Sequence, residues 1–212
     1  MFPPHEDQTF LGPGRVISAQ CTAAVGVDWG GRRCVLGVEL ANRESATSWR
    51  NFLGQLQERG LCGGELAISD DHPGLRQVIF ELLPQAVWQR CYVHFLRNAV
   101  DDLPRKRGDC RTDLGWVSDR RDLEKARRDL AAWPGKWQGR YPKPCDWVED
   151  RIEQTCSFYR LPRQHHRHVK PTNMLERFNQ EIKRRTHIAR TFPNGASCPR
   201  LVRALAVEIH EE

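Results

Sequence analysis

The spacing of hydrophobic and polar residues predicts strands and one helix in the first third of the chain. Residues 15–40 contain two runs of strand-forming residues, RVISAQCTAAVGV and RRCVLGVEL, on either side of a polar Asp/Gly-rich turn at 28–31. This pattern predicts a β-hairpin. Residues 45–60 place apolar side chains at helical spacing, with Ser45 before them and Gly60 after them, and therefore predict an amphipathic helix.

Two strands with a helix between them follow. ELAISD, residues 65–70, has the composition of a short buried strand that ends in an acid, and AVWQRCYVHF, residues 86–95, predicts a second strand. Between them HPGLRQVIFELLP predicts a helix with Pro73 in its first turn and Pro84 at its end. The order hairpin, helix, strand, helix, strand is typical of an α/β fold with a mixed sheet.

The pattern becomes helical after residue 95. Residues 95–143 are dense in charge and show no strand pattern, which predicts a helical insertion that we extend to residue 160. The His- and Arg-rich residues 160–170 are expected to form a loop, and helices are expected over 173–186 and 199–211. The predicted organisation has four segments: a divergent N-terminal segment at 1–14, the first part of the core at 15–94, the helical insertion at 95–160, and the basic C-terminal part of the core at 161–212.

The positive charge of the chain is concentrated in its last third. The 212 residues carry 33 Lys/Arg and 27 Asp/Glu, a formal charge of +6, and residues 151–212 alone account for the whole excess. Such a stretch suits a polyanion partner, because each Lys or Arg placed on a phosphate releases condensed counterions. A solvated helix face is the alternative interpretation of the same residues.

Composition favours a cytoplasmic protein. No apolar run is long enough to span a membrane, and the first residues have neither the basic nor the apolar region of a secretory signal. The eight cysteines are scattered without a CxxC pair, so we expect reduced thiols that pack as small hydrophobic side chains.

Two groups of residues near the predicted strands could carry chemistry. Asp70 follows the strand at 65–69, and open α/β sheets present ligand-binding groups at the carboxyl ends of their strands. A turn residue is the alternative for Asp70, and Asp71 can accept hydrogen bonds from the first N–H groups of the helix after it. Cys91 and His94 form half of a zinc site, which histidines 165, 166 and 168 could complete; the alternative is a buried thiol beside an imidazole bonded to the backbone.

The helix predicted at 173–186 combines carboxylates with bases. Its apolar stripe of Leu175, Phe178 and Ile182 leaves Glu176 and Glu181 on different sides, so only one of them can face a given site. Glu176 could also close a capping box with Asn173. A carboxylate among arginines and lysines suits a site that binds a metal ion and a phosphate.

Several motifs occur together and in order: SDDHPGL at 69–75, QRCYVHFLRN at 89–98, TNMLERFNQEIKRRT at 172–186 and FPN at 192–194. In this combination the chain resembles the Mutator-type transposases of bacterial insertion sequences, over nearly everything after residue 15. The resemblance implies an RNase H-like mixed sheet with an all-helical insertion. It also implies a DNA transposase with a DDE site, in which three carboxylates hold two Mg²⁺ (or Mn²⁺) ions that drive in-line attack at phosphorus.

Matched residue by residue, the resemblance implies that Asp70 is the second aspartate and Glu176 the glutamate of that site, both catalytic and both metal ligands. Cys91 and His94 match a signature that shapes the site, whereas Glu181 matches a family residue outside the metal site. The implied partner is DNA, as transposon ends and target, with a homo-oligomer as the active form. We expect DNA contacts from the basic residues Arg177, Lys183, Arg184, Arg185 and Arg190.

The chain departs from the family at its beginning. The family's first aspartate lies on the first strand, in a D-A-x-Y type segment, but MFPPHEDQTFLGPG occupies that place without the motif or a strand pattern. Asp7 is out of register and Asp28 falls in the hairpin turn, so the first strand is expected to be degraded or missing. We therefore expect a truncated, catalytically incomplete transposase. The alternatives are a non-catalytic DNA-binding remnant and a zinc-stabilised adaptor.

Overall fold

The chain is a mixed α/β protein that divides into two compact units. The first unit comprises Met1–Cys62 with Thr172–Glu212, and the second comprises Gly63–Pro171. No helix within the described ranges is long and apolar enough to cross a membrane. The computed structural model describes residues 8–12, 15–41, 45–100, 108–117, 120, 122–169, 173–189 and 197–211.

The first unit contains the predicted hairpin. Strands β2 (Arg15–Val27) and β3 (Arg33–Ala41) pair antiparallel around the turn at 28–32. Gly31 has a φ of 79°, a left-handed conformation that glycine adopts without steric cost. The Asp28 carboxylate accepts hydrogen bonds from the backbone N–H of Arg32 at 2.9 Å and from its Nε at 2.7 Å. The hairpin prediction is confirmed, and Asp28 is committed to the turn.

A third strand corrects the expectation that residues 1–14 contain no strand. Strand β1 (Gln8–Gly12) pairs antiparallel with the first five residues of β2, from Gln8 opposite Ala19 to Gly12 opposite Arg15. The remainder of β2 pairs with β3. Backbone donors and acceptors at the start of β2 need partners whatever the side chains are, and the preceding segment supplies them. The strand QTFLG carries no carboxylate.

Three helices complete the first unit. Helix α1 (Ala46–Glu58) begins after Ser45, whose Oγ accepts from the Ser48 N–H at 3.1 Å, and it ends before Gly60, as predicted. A side chain on Gly37 of β3 would place its Cβ 2.8 Å from Leu56 Cδ2, so the glycine allows α1 to approach the strand closely.

The last two helices of the first unit, α8 (Asn173–Ala189) and α9 (Ser197–Glu211), lie at the predicted places along the chain. They pack on the hairpin around a core that comprises Phe178, Ile182, Cys198, Val202, Leu205 and Ala206, with Ala23, Val35 and Val38 of the strands against it. Burial of these apolar side chains is the main force that holds α8 in place.

The second unit begins with a parallel strand pair. Strands β4 (Leu66–Ser69) and β5 (Val87–Arg90) are joined by helix α2 (Pro73–Leu82), in the order that the sequence predicts. The second strand is shorter than expected, because helix α3 (Tyr92–Val100) already begins after Cys91. The described strands thus show the antiparallel and parallel pairing expected of a mixed sheet, but they form two separate sheets rather than one.

The remainder of the second unit is helical within the described residues. Its α-helices are α4 (Gly108–Val117), α5 (Leu123–Trp137), α6 (Pro142–Arg151) and α7 (Arg163–Val169), with two 3-10 turns at 152–155 and 157–160. They enclose a core that includes Phe95, Leu114, Leu130, Trp133, Val148 and Ile152. The loop expected at 160–170 is therefore wrong. No glycine or proline follows Pro162 in this stretch, so nothing local interrupts a helix that starts there.

Candidate active site

Asp70 and Cys91 lie at the same edge of the parallel strand pair. Ser69 is opposite Arg90 in the register, and the backbone N–H of Cys91 donates to the Ser69 carbonyl at 2.6 Å. Asp70 and Cys91 are the next residues along the two strands. Sites in α/β folds form outside the carboxyl ends of parallel strands, and Asp70 has the predicted location for such a site.

The Asp70 carboxylate also has a structural role. Its Oδ1 accepts a hydrogen bond from the His72 backbone N–H at 3.3 Å, which closes a turn at the start of α2. Asp70 is partly exposed, and an ionised carboxylate offers about four lone-pair sites on its two oxygens. The turn and the ligand interpretations are therefore compatible for this residue.

The helix cap expected of Asp71 comes instead from His72. The His72 Nδ1 accepts from the Leu75 N–H at 3.2 Å, and Asp71 makes ion pairs with Arg90 at 2.9 Å and with Arg76 at 3.7 Å. Burial lowers the pKa of the Arg90 guanidinium, and the Asp71 charge opposes that shift. A buried cation needs a counter-charge more than the helix end needs a carboxylate, since an imidazole nitrogen can accept the capping bond.

Cys91 and His94 flank the start of α3. Cys91 is buried, and its carbonyl accepts the Phe95 N–H at 2.9 Å in the first helical turn. Across the described part of the chain, no group of three or more His, Cys, Asp or Glu side chains could hold a metal ion. His166, one of the three histidines that could complete a zinc site, has its Nε2 2.9 Å from the Leu161 carbonyl oxygen. The His168 side chain lies outside the described part of the structure.

Helix α8 of the first unit carries residues 173–186 of the motif TNMLERFNQEIKRRT. Phe178 and Ile182 are fully buried, which confirms two members of the predicted apolar stripe. Glu176 belongs to α8, at a helical position about 160° around the axis from Phe178. The side chains of Glu176 and Leu175 are outside the described residues, so the capping box and the metal contact of Glu176 stay predictions.

The basic residues of α8 differ in their partners. Arg177 and Lys183 are exposed. Glu181 accepts from Arg184 Nε at 2.8 Å and Nη2 at 2.7 Å, and from Arg185 Nε at 2.7 Å. These arginine hydrogen bonds lower the pKa of Glu181 to about 2. Two of the predicted DNA-contacting arginines are therefore held on a neighbouring carboxylate. The predicted contact Arg190 and the candidate Asp7 lie outside the described residues.

Sequence reasoning did not single out Arg90 or the pairing of Glu181. Arg90 is 2% exposed, and its signal was a charged residue at the end of a strand that otherwise reads as buried. The pairing of Glu181 could have been predicted more directly. Arg184 and Arg185 follow it by three and four residues, and residues at these spacings lie side by side on a helix.

The comparisons with known proteins agree on one family. A profile described as "Transposase, Mutator family" matches residues 11–212. The transposase for insertion sequence element ISRM5 of Rhizobium meliloti is 62% identical over 199 residues, which are 93% of this chain and 50% of that protein.

More distant relatives cover a similar share of the chain. The transposase for element IS406 of Burkholderia multivorans is 38% identical over 94% of this chain and 52% of its own length. The transposase for element IS256 in transposon Tn4001 of Staphylococcus aureus is 36% identical over 93% of this chain and 51% of its own length. The chain spans about half the length of the curated relatives it matches. It belongs to the Mutator family of transposases.

Proposed function

We propose that the chain belongs to a DDE-type transposase of an insertion sequence. The reaction of such an enzyme is metal-dependent cleavage and transfer of DNA strands. Support comes from family membership over residues 11–212 and from the relatives' names. The observation that carries the proposal is the position of Asp70 in the SDDHPGL motif, directly after a parallel strand. Asp70 and Glu176 are the catalytic carboxylates in this proposal.

The fold belongs to the same proposal. An RNase H-like core would use the antiparallel hairpin, the parallel pair β4 and β5 and helix α8, with the helical insertion at 95–160 between β5 and α8. Support comes from the order of these elements along the chain. The four segments predicted from the sequence remain part of the proposal.

The available ligands suit a hard divalent cation. Asp70 presents a partly exposed carboxylate, and Mg²⁺ and Mn²⁺ prefer such oxygen ligands. In a DDE site the bound ions activate the attacking oxygen and stabilise the leaving one. Asp70 and Glu176 would hold the metal, and Cys91 and His94 would shape its surroundings.

DNA is the proposed partner, and α8 supplies the proposed contacts. Arg177 and Lys183 are exposed, and Arg184 and Arg185 are exposed while paired to Glu181. Together with Arg190, they would neutralise backbone phosphates. We also propose a cytoplasmic location and a homo-oligomer for the active transposase.

The DNA proposal predicts a specific salt dependence. Between about 50 and 200 mM salt, the logarithm of the affinity for a short duplex should fall linearly with the logarithm of salt concentration. Replacing Arg184 and Arg185 together by alanine should reduce that slope by about 2, one for each phosphate that is no longer neutralised. Fluorescence anisotropy of a labelled duplex measures both quantities.

A matched control keeps this test specific to α8. Arg127 and Arg128 are two adjacent exposed arginines of α5, and Arg127 is also ion-paired, with Glu153. The double alanine variant of this pair removes the same charge and should leave the slope unchanged. Equal slopes for the α8 variant and the unchanged chain would reject the assignment of Arg184 and Arg185 to DNA.

The metal proposal predicts that Asp70→Asn weakens Mn²⁺ binding at least about tenfold, because the neutral amide loses the charge that attracts the cation. Isothermal calorimetry with Mn²⁺ measures the effect. Asp150→Asn is the matched control, since Asp150 is an exposed aspartate of the same unit with 75% of its side chain accessible. An Asp70→Asn protein that binds Mn²⁺ as tightly as the Asp150→Asn protein would reject Asp70 as a ligand.

A further inference from the structure

Arg90 is a buried cation directly beside the turn that carries Asp70. Its side chain is only 3% exposed, so it cannot contact DNA or bulk solvent. A guanidinium is strongly hydrated in the unfolded chain, and its burial is costly unless the protein supplies opposite charge and well-oriented partners. Packing alone therefore does not explain why this buried position holds an arginine.

The partners of Arg90 come from three directions. The Asp71 carboxylate pairs with it at 2.9 Å, and its guanidinium lies 5.7 Å from the ring centre of Phe95 in α3 and 5.0 Å from that of Trp147 in α6. Arginine over aromatic faces is a favourable cation–π arrangement. Arg90 therefore connects the turn after β4 to two helices of the second unit.

The other side of the turn is tied down as well. Trp88 Nε1 donates to Ser69 Oγ at 3.0 Å, and Ser69 Oγ donates to the Asp70 carbonyl at 2.7 Å. Arg76 reaches the same Asp71 carboxylate at 3.7 Å and lies 4.2 Å from the Trp88 ring centre. The main chain of the turn is thus fixed through Ser69, and its carboxyl side is fixed through Asp71.

Asp71 itself is a poor candidate for a metal ligand. Its Oδ2 faces Arg90 and its Oδ1 faces Arg76. A cation added there would compete with two guanidinium groups, one of them buried and dependent on this carboxylate. The two adjacent aspartates therefore have different roles. Asp70 is partly exposed and free to meet a metal ion, whereas Asp71 faces the two arginines.

We propose that Asp71 and Arg90 form a positioning pair, which holds the turn at 69–72 so that the Asp70 carboxylate is presented at the edge of the strand pair. This inference rests on the proposed function, in which Asp70 binds metal. Arg90 is the buried member of this ion pair and Asp71 is partly exposed, so the pair adds little net stability. Leaving the buried guanidinium without its counter-charge is costly, which favours turn conformations that keep the Asp71 carboxylate beside it. Metal binding depends on such geometry because ligand oxygens must be held in place before the ion arrives.

The test removes both charges together. The double variant Asp71→Asn with Arg90→Met leaves no unpaired buried charge, and methionine retains much of the arginine side chain's apolar volume against the rings. Hydrogen exchange at the backbone amides of residues 70–72 should accelerate at least tenfold, and Mn²⁺ affinity by calorimetry should fall at least tenfold. The thermal midpoint should stay close to that of the unchanged chain, which separates positioning from unfolding.

The matched control is the double variant Arg127→Met with Glu153→Gln, which removes a different ion pair of the same unit, an exposed and bidentate one. It should change neither the exchange at 70–72 nor the Mn²⁺ affinity. Trp147→Leu offers a second route, since it keeps both charges and removes one ring beside Arg90. It should accelerate exchange at the turn by a smaller factor, and it serves the same purpose if the double variant does not fold.

Two outcomes distinguish a failure of the positioning pair from a failure of the proposed metal role of Asp70. Unchanged Mn²⁺ affinity in Asp70→Asn would reject the metal role of Asp70, and exchange at 70–72 would still decide whether the pair fixes the turn. Lost affinity in Asp70→Asn, combined with control-like exchange and affinity in the Asp71/Arg90 variant, would overturn the positioning pair. Accelerated exchange and weakened affinity together would support it.

Discussion

Replacing Phe178 by alanine is expected to lower the free energy of unfolding of the first unit by about 3–5 kcal/mol. Phe178 is 0% exposed and lies in the core formed by α8, α9 and the hairpin. Truncation would remove its transfer free energy and leave a cavity that the strands and α9 can fill only partly. The loss is large beside the total stability of a typical domain, about 5–15 kcal/mol.

Denaturant unfolding measures this loss, and hydrogen exchange of the β2 and β3 amides assigns it to the first unit. Phe80→Ala is the matched control, because it deletes the same atoms from a side chain that is 50% exposed. The control should lose only a minor part of that free energy. A Phe178→Ala protein that loses no more stability than the Phe80→Ala protein would contradict the packing of Phe178 in the core between α8, α9 and the hairpin.

Replacing Glu181 by glutamine is expected to tighten DNA binding, by about fivefold to tenfold at low salt. The carboxylate holds Arg184 and Arg185 at 2.7–2.8 Å, so a phosphate must displace it before it can bind either guanidinium. Glutamine removes that competition and a negative charge that repels DNA. The salt slope should become steeper, and anisotropy titrations with the same duplex measure both changes.

Glu208→Gln is the matched control for Glu181, since it alters the net charge equally from an exposed position on α9 of the same unit. It should change the affinity much less. Weaker binding by Glu181→Gln would instead mean that the carboxylate orients the two arginines for DNA, and an affinity equal to the control would mean that these arginines do not contact DNA.

Acid should release the same arginines without mutation. The pKa of Glu181 is about 2, below its usual 4.5, so the stabilisation from its ion pairs is complete above pH 4.5. It is lost as the pH falls from about 4.5 towards 2, when the carboxyl takes up a proton. At neutral pH, therefore, the pairing with Arg184 and Arg185 is intact, and DNA binding has to compete with it.

Elements whose ends carry a local signal could be predicted from the sequence. Helix α1 starts after Ser45 and stops before Gly60, because a hydroxyl cap and a left-handed glycine act on the nearest backbone groups. Helix α2 starts at Pro73 for a similar reason. The hairpin follows from its Asp/Gly turn.

Features that depend on distant partners could not be predicted. Strand β1 is held by backbone pairing with the start of β2, which no side-chain pattern in residues 8–12 indicates. The candidate site shows the same limit: the place of Asp70 after a strand could be predicted from the sequence, but the pairing of Asp71 with Arg90 could not. Those two residues are 19 positions apart, and only the register of β4 and β5 brings them together.

The contact between Gly37 and Leu56 limits which sequences the first unit can accept. Because an added Cβ on residue 37 would lie 2.8 Å from Leu56 Cδ2, an alanine on the strand requires that the leucine side chain moves or that the helix residue becomes smaller. The residues at these two positions, which are 19 residues apart in the chain, are therefore expected to covary. Across the family we expect them to change together, with strand glycine retained wherever the helix keeps leucine.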